Sequence, residues 1–208
     1  VRSAELEEAA AVLGVHRLVA LGYPDSGLDG EVVHGFASAD RFTVARRIAA
    51  VLDEEHADVL VGYDPRGGYG HPDHVQVHRA VRAAAVLAAQ PPTVFEATLP
   101  REPIARAVRM AGRLHLTPPD FDATSYDESW TPNAEITHRV DVRRHWPAKR
   151  DALRAHASQH GADGQIRTLA VLTRLPAPVA TLLLGTEYYS LVSSPRSAQA
   201  RATSDASS

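Results

Sequence analysis

Cysteine is absent from the 208 residues, which excludes disulfides, thiolate metal sites and cysteine nucleophiles and leaves any metal to His, Asp, Glu and water. An excess of one charge is lacking too. With 22 Lys and Arg against 25 Asp and Glu, the net charge is −3, so no strongly basic face for nucleic acid or an anionic membrane is expected, nor a polyanionic substrate. No stretch approaches the roughly 20 apolar residues of a membrane helix, and no charged-then-apolar leader opens the chain, so the expectation is a soluble, cytoplasmic protein. Lysine occurs once, at Lys149, and methionine once, at Met110, while Val1 stands first. Against these absences stand eleven histidines. A composition of 44% hydrophobic and 23% charged residues is that of an ordinary globular chain with enough length for one sizeable core. One domain is expected over residues 1–192. The Ser/Ala/Arg-rich tail, 193–208, reads as disordered.

Helical spacing of apolar residues runs from Arg2 to Leu13 and stops at Gly14, and a strand is expected from Arg17 to Leu21. The turn formers Gly22 to Gly27 open a polar loop reaching Asp40. Phe42 to His56 then reads as a helix and Asp58 to Tyr63 as a short buried strand, an order that implies parallel pairing. Pro72 suits the first turn of a long alanine-rich helix reaching Gln90. Further candidates are a strand at Thr93 to Thr98, helices at Ile104 to Leu114 and Pro147 to Ser158, and a half-exposed strand at Ile136 to Val142. From Gln165 to Leu184 the chain is apolar, broken by Pro176 and Pro178. The sum is an α/β, Rossmann-like three-layer domain with a mostly parallel sheet, in which ligands bind beyond the carboxyl ends of the strands. The segment from Asp64 to His74 occupies that place.

Tyr69, His71, Asp73 and His74 fall within six residues there, behind the glycines of Gly67-Gly68-Tyr69-Gly70. Few structural needs gather such residues at a strand-to-helix junction. His71 at the cap and His74 in the first turn face one crevice, so one of them can bind metal while the other handles protons. Asp73 has a plain reading, a carboxylate at a helix N-terminus worth about 0.5 kcal/mol, and a sharper one as the group that orients His71 and favours its protonated form. His78 follows His74 by one turn, but the zincin pattern needs Glu where Val75 stands, so His78 is expected on the helix surface. A nucleotide-binding module is disfavoured, because no Gly-x-Gly-x-x-Gly opens a helix.

The run from Gly67 to Val75 resembles the second signature of the PIG-L/LmbE family, zinc-dependent N-deacetylases of N-acetylglucosamine-type substrates that include mycothiol-pathway deacetylases and amidases. Leu21 to Gly27, Ala152 to Gln159 and Gly185 to Tyr189 resemble other family segments. The resemblance implies zinc as cofactor, with His74 as its ligand, His71 as acid or transition-state stabiliser oriented by Asp73, and Tyr69 as hydrogen-bond donor to the substrate carbonyl. Asp25 would contact a small-molecule amino sugar. The implied reaction is acetamide hydrolysis by a zinc-activated water. Amidase action on a mycothiol-type conjugate and non-catalytic carbohydrate binding are the alternatives, and the loops from Gly30 to Asp40 and Thr117 to Asn133 are expected to line the mouth of the site.

The family's first signature, His-Pro-Asp-Asp, is absent, since His71-Pro72 is the sole His-Pro pair. The chain is therefore expected to be N-terminally truncated, without the first strand, two further metal ligands and the general base. As it stands only one ligand can be named, and zinc binding should be weak. Reading the coding frame upstream of Val1 should reveal that signature, and a stop codon reached first would refute the expectation.

Overall fold

In this computed structural model, residues 2–28, 30, 32–115, 123–155 and 174–194 are described. They fall into two compact units, Leu21–Arg139 with Tyr188–Ser208, and Val1–Ala20 with Val140–Glu187.

In the first of these, Asp40 accepts the backbone N–H of Thr43 at 2.7 Å and starts helix α2 (Arg41–Glu55), which ends at His56 in left-handed backbone. Strand β1 (Val59–Tyr63) follows. A short four-residue segment, α3 (Gly67–Gly70), kinked out of helical backbone at Gly68, leads into helix α4 (Pro72–Leu87), then strand β2 (Thr93–Thr98) and helix α5 (Arg101–Arg113). Two more strands, β3 (His138–Asp141) and β4 (Thr186–Ser193), each with two residues assigned to the second unit, complete a four-stranded sheet of order β1-β2-β4-β3. Strands β1 and β2 pair in parallel, from Val59 against Thr93 to Tyr63 against Ala97, as the helix-then-strand order requires. Strand β4 runs antiparallel to β2, so the sheet of this α/β fold is mixed.

Small side chains let the layers approach closely. Ala45, Ala49 and Leu52 of α2 bury against Ala84 of α4 and Ala88, while Val81 and Ala85 of α4 bury against Val94 of β2. Gly62 sits beneath α4, where a Cβ would fall 2.9 Å from Val81 Cγ1. This face of β2 also carries polar groups, because the buried positions Val94, Glu96 and Thr98 alternate along it. Strand β1 is at the sheet edge and leaves Val59 and Val61 half exposed.

The second unit contains helix α1 (Arg2–Val12), whose Ala9 packs on Ala152 and Ala155 of helix α6 (Trp146–Ala155). Helix α7 (Ala177–Leu184) begins after Pro176, where proline's fixed backbone is tolerated.

The expected strand at 17–21 does not form. Those residues are largely exposed and extend outside any ladder, and a strand needs a partner for its backbone groups. Helix α5 begins at Arg101, three residues before its expected start, since Pro103 is tolerated in a first turn. Strand β4 continues to Ser193, one residue past the expected domain end, and the tail from 195 lies outside the described residues, as do 156–173. Among the described residues no helix is long and apolar enough to cross a membrane.

Gly62→Ala should destabilise the chain by about 1–3 kcal/mol, because the branched Val81 side chain has little freedom to yield. Adding Val81→Ala should recover part of that loss in a urea-unfolding double-mutant cycle. Additivity of the two changes would show that they do not meet.

Candidate metal and catalytic site

The site is built on a buried carboxylate. Asp64 follows the last residue of β1 and is fully buried. Its Oδ1 accepts the backbone N–H groups of Arg66 at 3.0 Å and Gly68 at 2.9 Å, and its Oδ2 accepts the Thr98 hydroxyl at 2.5 Å. The loop is thereby folded into a tight turn that needs left-handed backbone at Gly67 and Gly68, with φ of 65° and 69°. At Gly67 a Cβ would also fall 2.7 Å from the Val75 nitrogen. From behind, Trp130 donates its backbone N–H to the Gly68 carbonyl at 2.8 Å, and Arg101 holds the carbonyls of Ser129 and Trp130. Within the expected mouth loop, residues 117–122 lie outside the described residues.

This turn aims the Gly67 carbonyl at the first turn of α4, where it lies 3.2 Å from His74 Nδ1. A carbonyl only accepts, so Nδ1 carries the proton and Nε2 keeps its lone pair. The imidazole also stacks on Tyr63, with ring centroids 4.0 Å apart and planes 5° from parallel. Burial, and then the charge of neighbouring His71, hold the His74 pKa below its ordinary value of 6.5, which keeps the ring neutral.

His71 has the opposite arrangement. It caps α4, and its Nδ1 accepts the backbone N–H of Asp73 at 3.2 Å. The proton of the neutral ring therefore sits on Nε2, which lies 4.0 Å from Asp25 Oδ1. The two imidazoles are 4.9 Å apart, and Tyr69 meets both edge-on, at 6.0 and 5.5 Å.

Asp73 thus meets His71 through its main chain, where a carboxylate contact was expected. Its Oδ2 accepts the Ser26 N–H at 3.0 Å, and its Oδ1 is buried with no hydrogen-bond partner. Such an orphaned oxygen is costly unless a cation or proton donor meets it. Asp25, His71 and Asp73 each bring a ligand-type atom within 4.8 Å of the others. Of these, the carboxylates suit a cation, while His71 would have to give up either its Nε2 proton or its cap to become a ligand. The structure therefore gathers more candidate ligand atoms than the one nameable from the signature. That cluster contains His71 and leaves out His74, the residue expected to bind metal; two carboxylates and an imidazole are donor types that a divalent metal such as zinc accepts.

All five residues singled out in the sequence, Asp25, Tyr69, His71, Asp73 and His74, belong to the unit that contains β1 and α4, and the contacts above bring them together. Three supporting residues were not singled out. Asp64 has a sequence signal, an acidic residue closing an apolar strand before a glycine-rich loop. Ser26 has none; it is buried, its Oγ accepts the Ala37 N–H at 2.8 Å, and a Cβ on Gly35 would fall 2.8 Å from its Cα. Tyr63 acts through a stacking contact that only the fold creates. His78, expected on the helix surface, is instead largely covered, with Nδ1 3.0 Å from Glu96 Oε1, because α4 lies over a polar position of β2.

Residues 1–85 match the family described as PIG-L, GlcNAc-PI de-N-acetylase. A 1D-myo-inositol 2-acetamido-2-deoxy-alpha-D-glucopyranoside deacetylase of Thermobifida fusca is 35% identical over 214 residues, covering 93% of this chain and 72% of that protein. Its namesake from Nocardiopsis dassonvillei is 35% identical over 213 residues, covering 93% and 73%. Another, from Streptomyces griseus, is 38% identical over 212 residues, covering 92% and 64%.

With its folded pKa below the unfolded value of 6.5, His74 binds a proton less readily in the native state than in the unfolded one. Its contribution to stability is complete above the unfolded pKa and is lost as pH falls through the window down to the folded pKa. In metal-free protein, an NMR titration should place His74 below 6.5, and His74→Gln should flatten the fall in stability across that window. A midpoint at or above 6.5 would contradict the neutral ring.

Proposed function

The chain belongs to the PIG-L family of de-N-acetylases, and from that membership we propose that it is a metal-dependent amidohydrolase that removes the acetyl group from an N-acetylglucosamine-type substrate. The observation that carries the reading is the pair of opposite tautomers on adjacent histidines, a lone pair at His74 Nε2 and a proton at His71 Nε2. One histidine presents a lone pair to a cation and its neighbour presents an N–H to the substrate, and hydrolysis of an unactivated amide uses both a cation and a proton shuttle.

Zinc is the metal proposed. His74 would hold it; among the described residues the carboxylates of Asp25 and Asp73 gather with His71, three positions earlier. Bound there, zinc would supply a water of pKa about 7 and polarise the amide carbonyl. The remaining steps fall to the chain. Tyr69, edge-on to both imidazoles, donates its hydroxyl to the carbonyl oxygen as negative charge develops there. To act as acid His71 must first take up a second proton, the one released by the attacking water; it would then protonate the departing amine and return to its neutral form, without which the C–N bond would expel a very poor leaving group. Asp73 holds His71 through its main chain and ties the Asp25–Ser26 loop to α4 through its carboxylate, so the proton donor and the sugar-contacting loop are fixed by one residue. Asp25, exposed at the mouth, would accept a hydroxyl of the sugar. The compound for which the relatives are named, a 2-acetamido-2-deoxyglucoside of myo-inositol, is the first to try.

Bound zinc and acetate release should be measured together on that compound and on simpler N-acetylglucosamine derivatives. His74→Ala should abolish both. His71→Asn should retain zinc and lower kcat by about 10²–10⁴, and Tyr69→Phe should lower it by about 10²–10³. Sugar binding that persists in chelator with no acetate released would sink the enzyme reading and leave a carbohydrate-binding protein.

A further inference from the structure

His78 and Glu96 take no part in the chemistry above, yet they place a polar pair inside the layer between α4 and the sheet. The His78 side chain is 13% exposed and that of Glu96 8%. Desolvating such a pair is costly, and apolar side chains of the same volume would fill the layer at least as well. The contacts suggest what the pair does. His78 Nδ1 lies 3.0 Å from Glu96 Oε1 and 3.2 Å from the backbone carbonyl of Tyr63. A carbonyl only accepts, so Nδ1 carries the proton and donates it in a hydrogen bond to Tyr63, while the Glu96 carboxylate lies close beside the ring. Arg82 Nη1 approaches the same Glu96 oxygen at 3.4 Å from the next turn of the helix.

Tyr63 is the last residue of β1, and its ring is the platform on which His74 stacks. His74 and His78 are one turn apart on α4, so both lie over that strand end. An imidazole is oriented by two torsions. The Gly67 carbonyl fixes where Nδ1 points, and the Tyr63 face fixes the ring plane; together they set the direction of Nε2. We propose that His78, braced by Glu96, is a positioning residue for His74. It clamps the Tyr63 carbonyl to α4 and so holds the aromatic platform against the His74 ring. The inference rests on the reading of His74 as the metal-holding nitrogen for its functional meaning, but its geometric content does not.

The test has two arms. In metal-free protein, the Tyr63 face shields the His74 ring protons, so their NMR signals lie upfield, and Tyr63→Leu defines the unshielded position. His78→Leu should move the signals toward that position, whereas His78→Asn, whose amide nitrogen lies near the place of Nδ1, should restore them. In the second arm, zinc affinity from chelator competition should fall about 10- to 100-fold in His78→Leu and return to within about threefold of the parent in His78→Asn. Should the Leu variant not fold, His78→Gln replaces it, since its amide sits one bond further out and misses the carbonyl. Unchanged signals and affinity in the Leu or Gln variant overturn the inference, and so does a loss that Asn fails to rescue, which would mark general packing. If His74→Ala leaves zinc binding intact, the metal reading fails on its own, and the NMR arm still decides whether His78 sets the ring.

Discussion

Everything at the site hangs on the carboxylate of Asp64. A charged group wholly removed from water is tolerated only when its oxygens are saturated, and here two loop N–H groups and a hydroxyl from the neighbouring strand do so. That requirement forces the chain to double back after β1, which glycine alone can do at Gly67 and Gly68. The turn in its course presents one carbonyl to His74. Remove the carboxylate and the turn loses its frame, and with it the carbonyl that sets the tautomer of His74.

The chemistry then follows from hydrogen-bond direction more than from residue type. Two histidines three positions apart have the same intrinsic chemistry, but one faces a carbonyl and the other an N–H, so their proton and lone pair are exchanged. Burial depresses the pKa of His74 and deepens the difference. Roles that look interchangeable in a His-x-x-His segment are separated by main-chain groups that carry no sequence identity at all. The same holds one layer further out, where Tyr63 orients His74 by stacking and His78 touches the Tyr63 backbone.

The local motif was fully legible in the sequence. Glycines before a histidine cluster, and proline at a helix start, fix a strand–turn–helix junction through backbone preferences that act within a few residues, and α2, β1, α4 and β2 follow from periodicity. So did the concentration of ligand-type side chains in one place, since Tyr69 through His74 are neighbours in the chain. What periodicity could not supply was partnership. The 17–21 segment has a strand's composition yet pairs with no described strand, and His78 has a surface residue's spacing yet covers a buried glutamate. Ser26 is 47 residues from Asp73, and it and Asp25 join the motif because Asp73 accepts the Ser26 N–H. Sequence thus determined which chemical groups are present and which backbone turns they sit on, because those depend on short-range sterics. Only the tertiary structure decided which nitrogen of each histidine holds a proton and which carboxylate oxygen is left unsatisfied, because these are set by contacts across the fold.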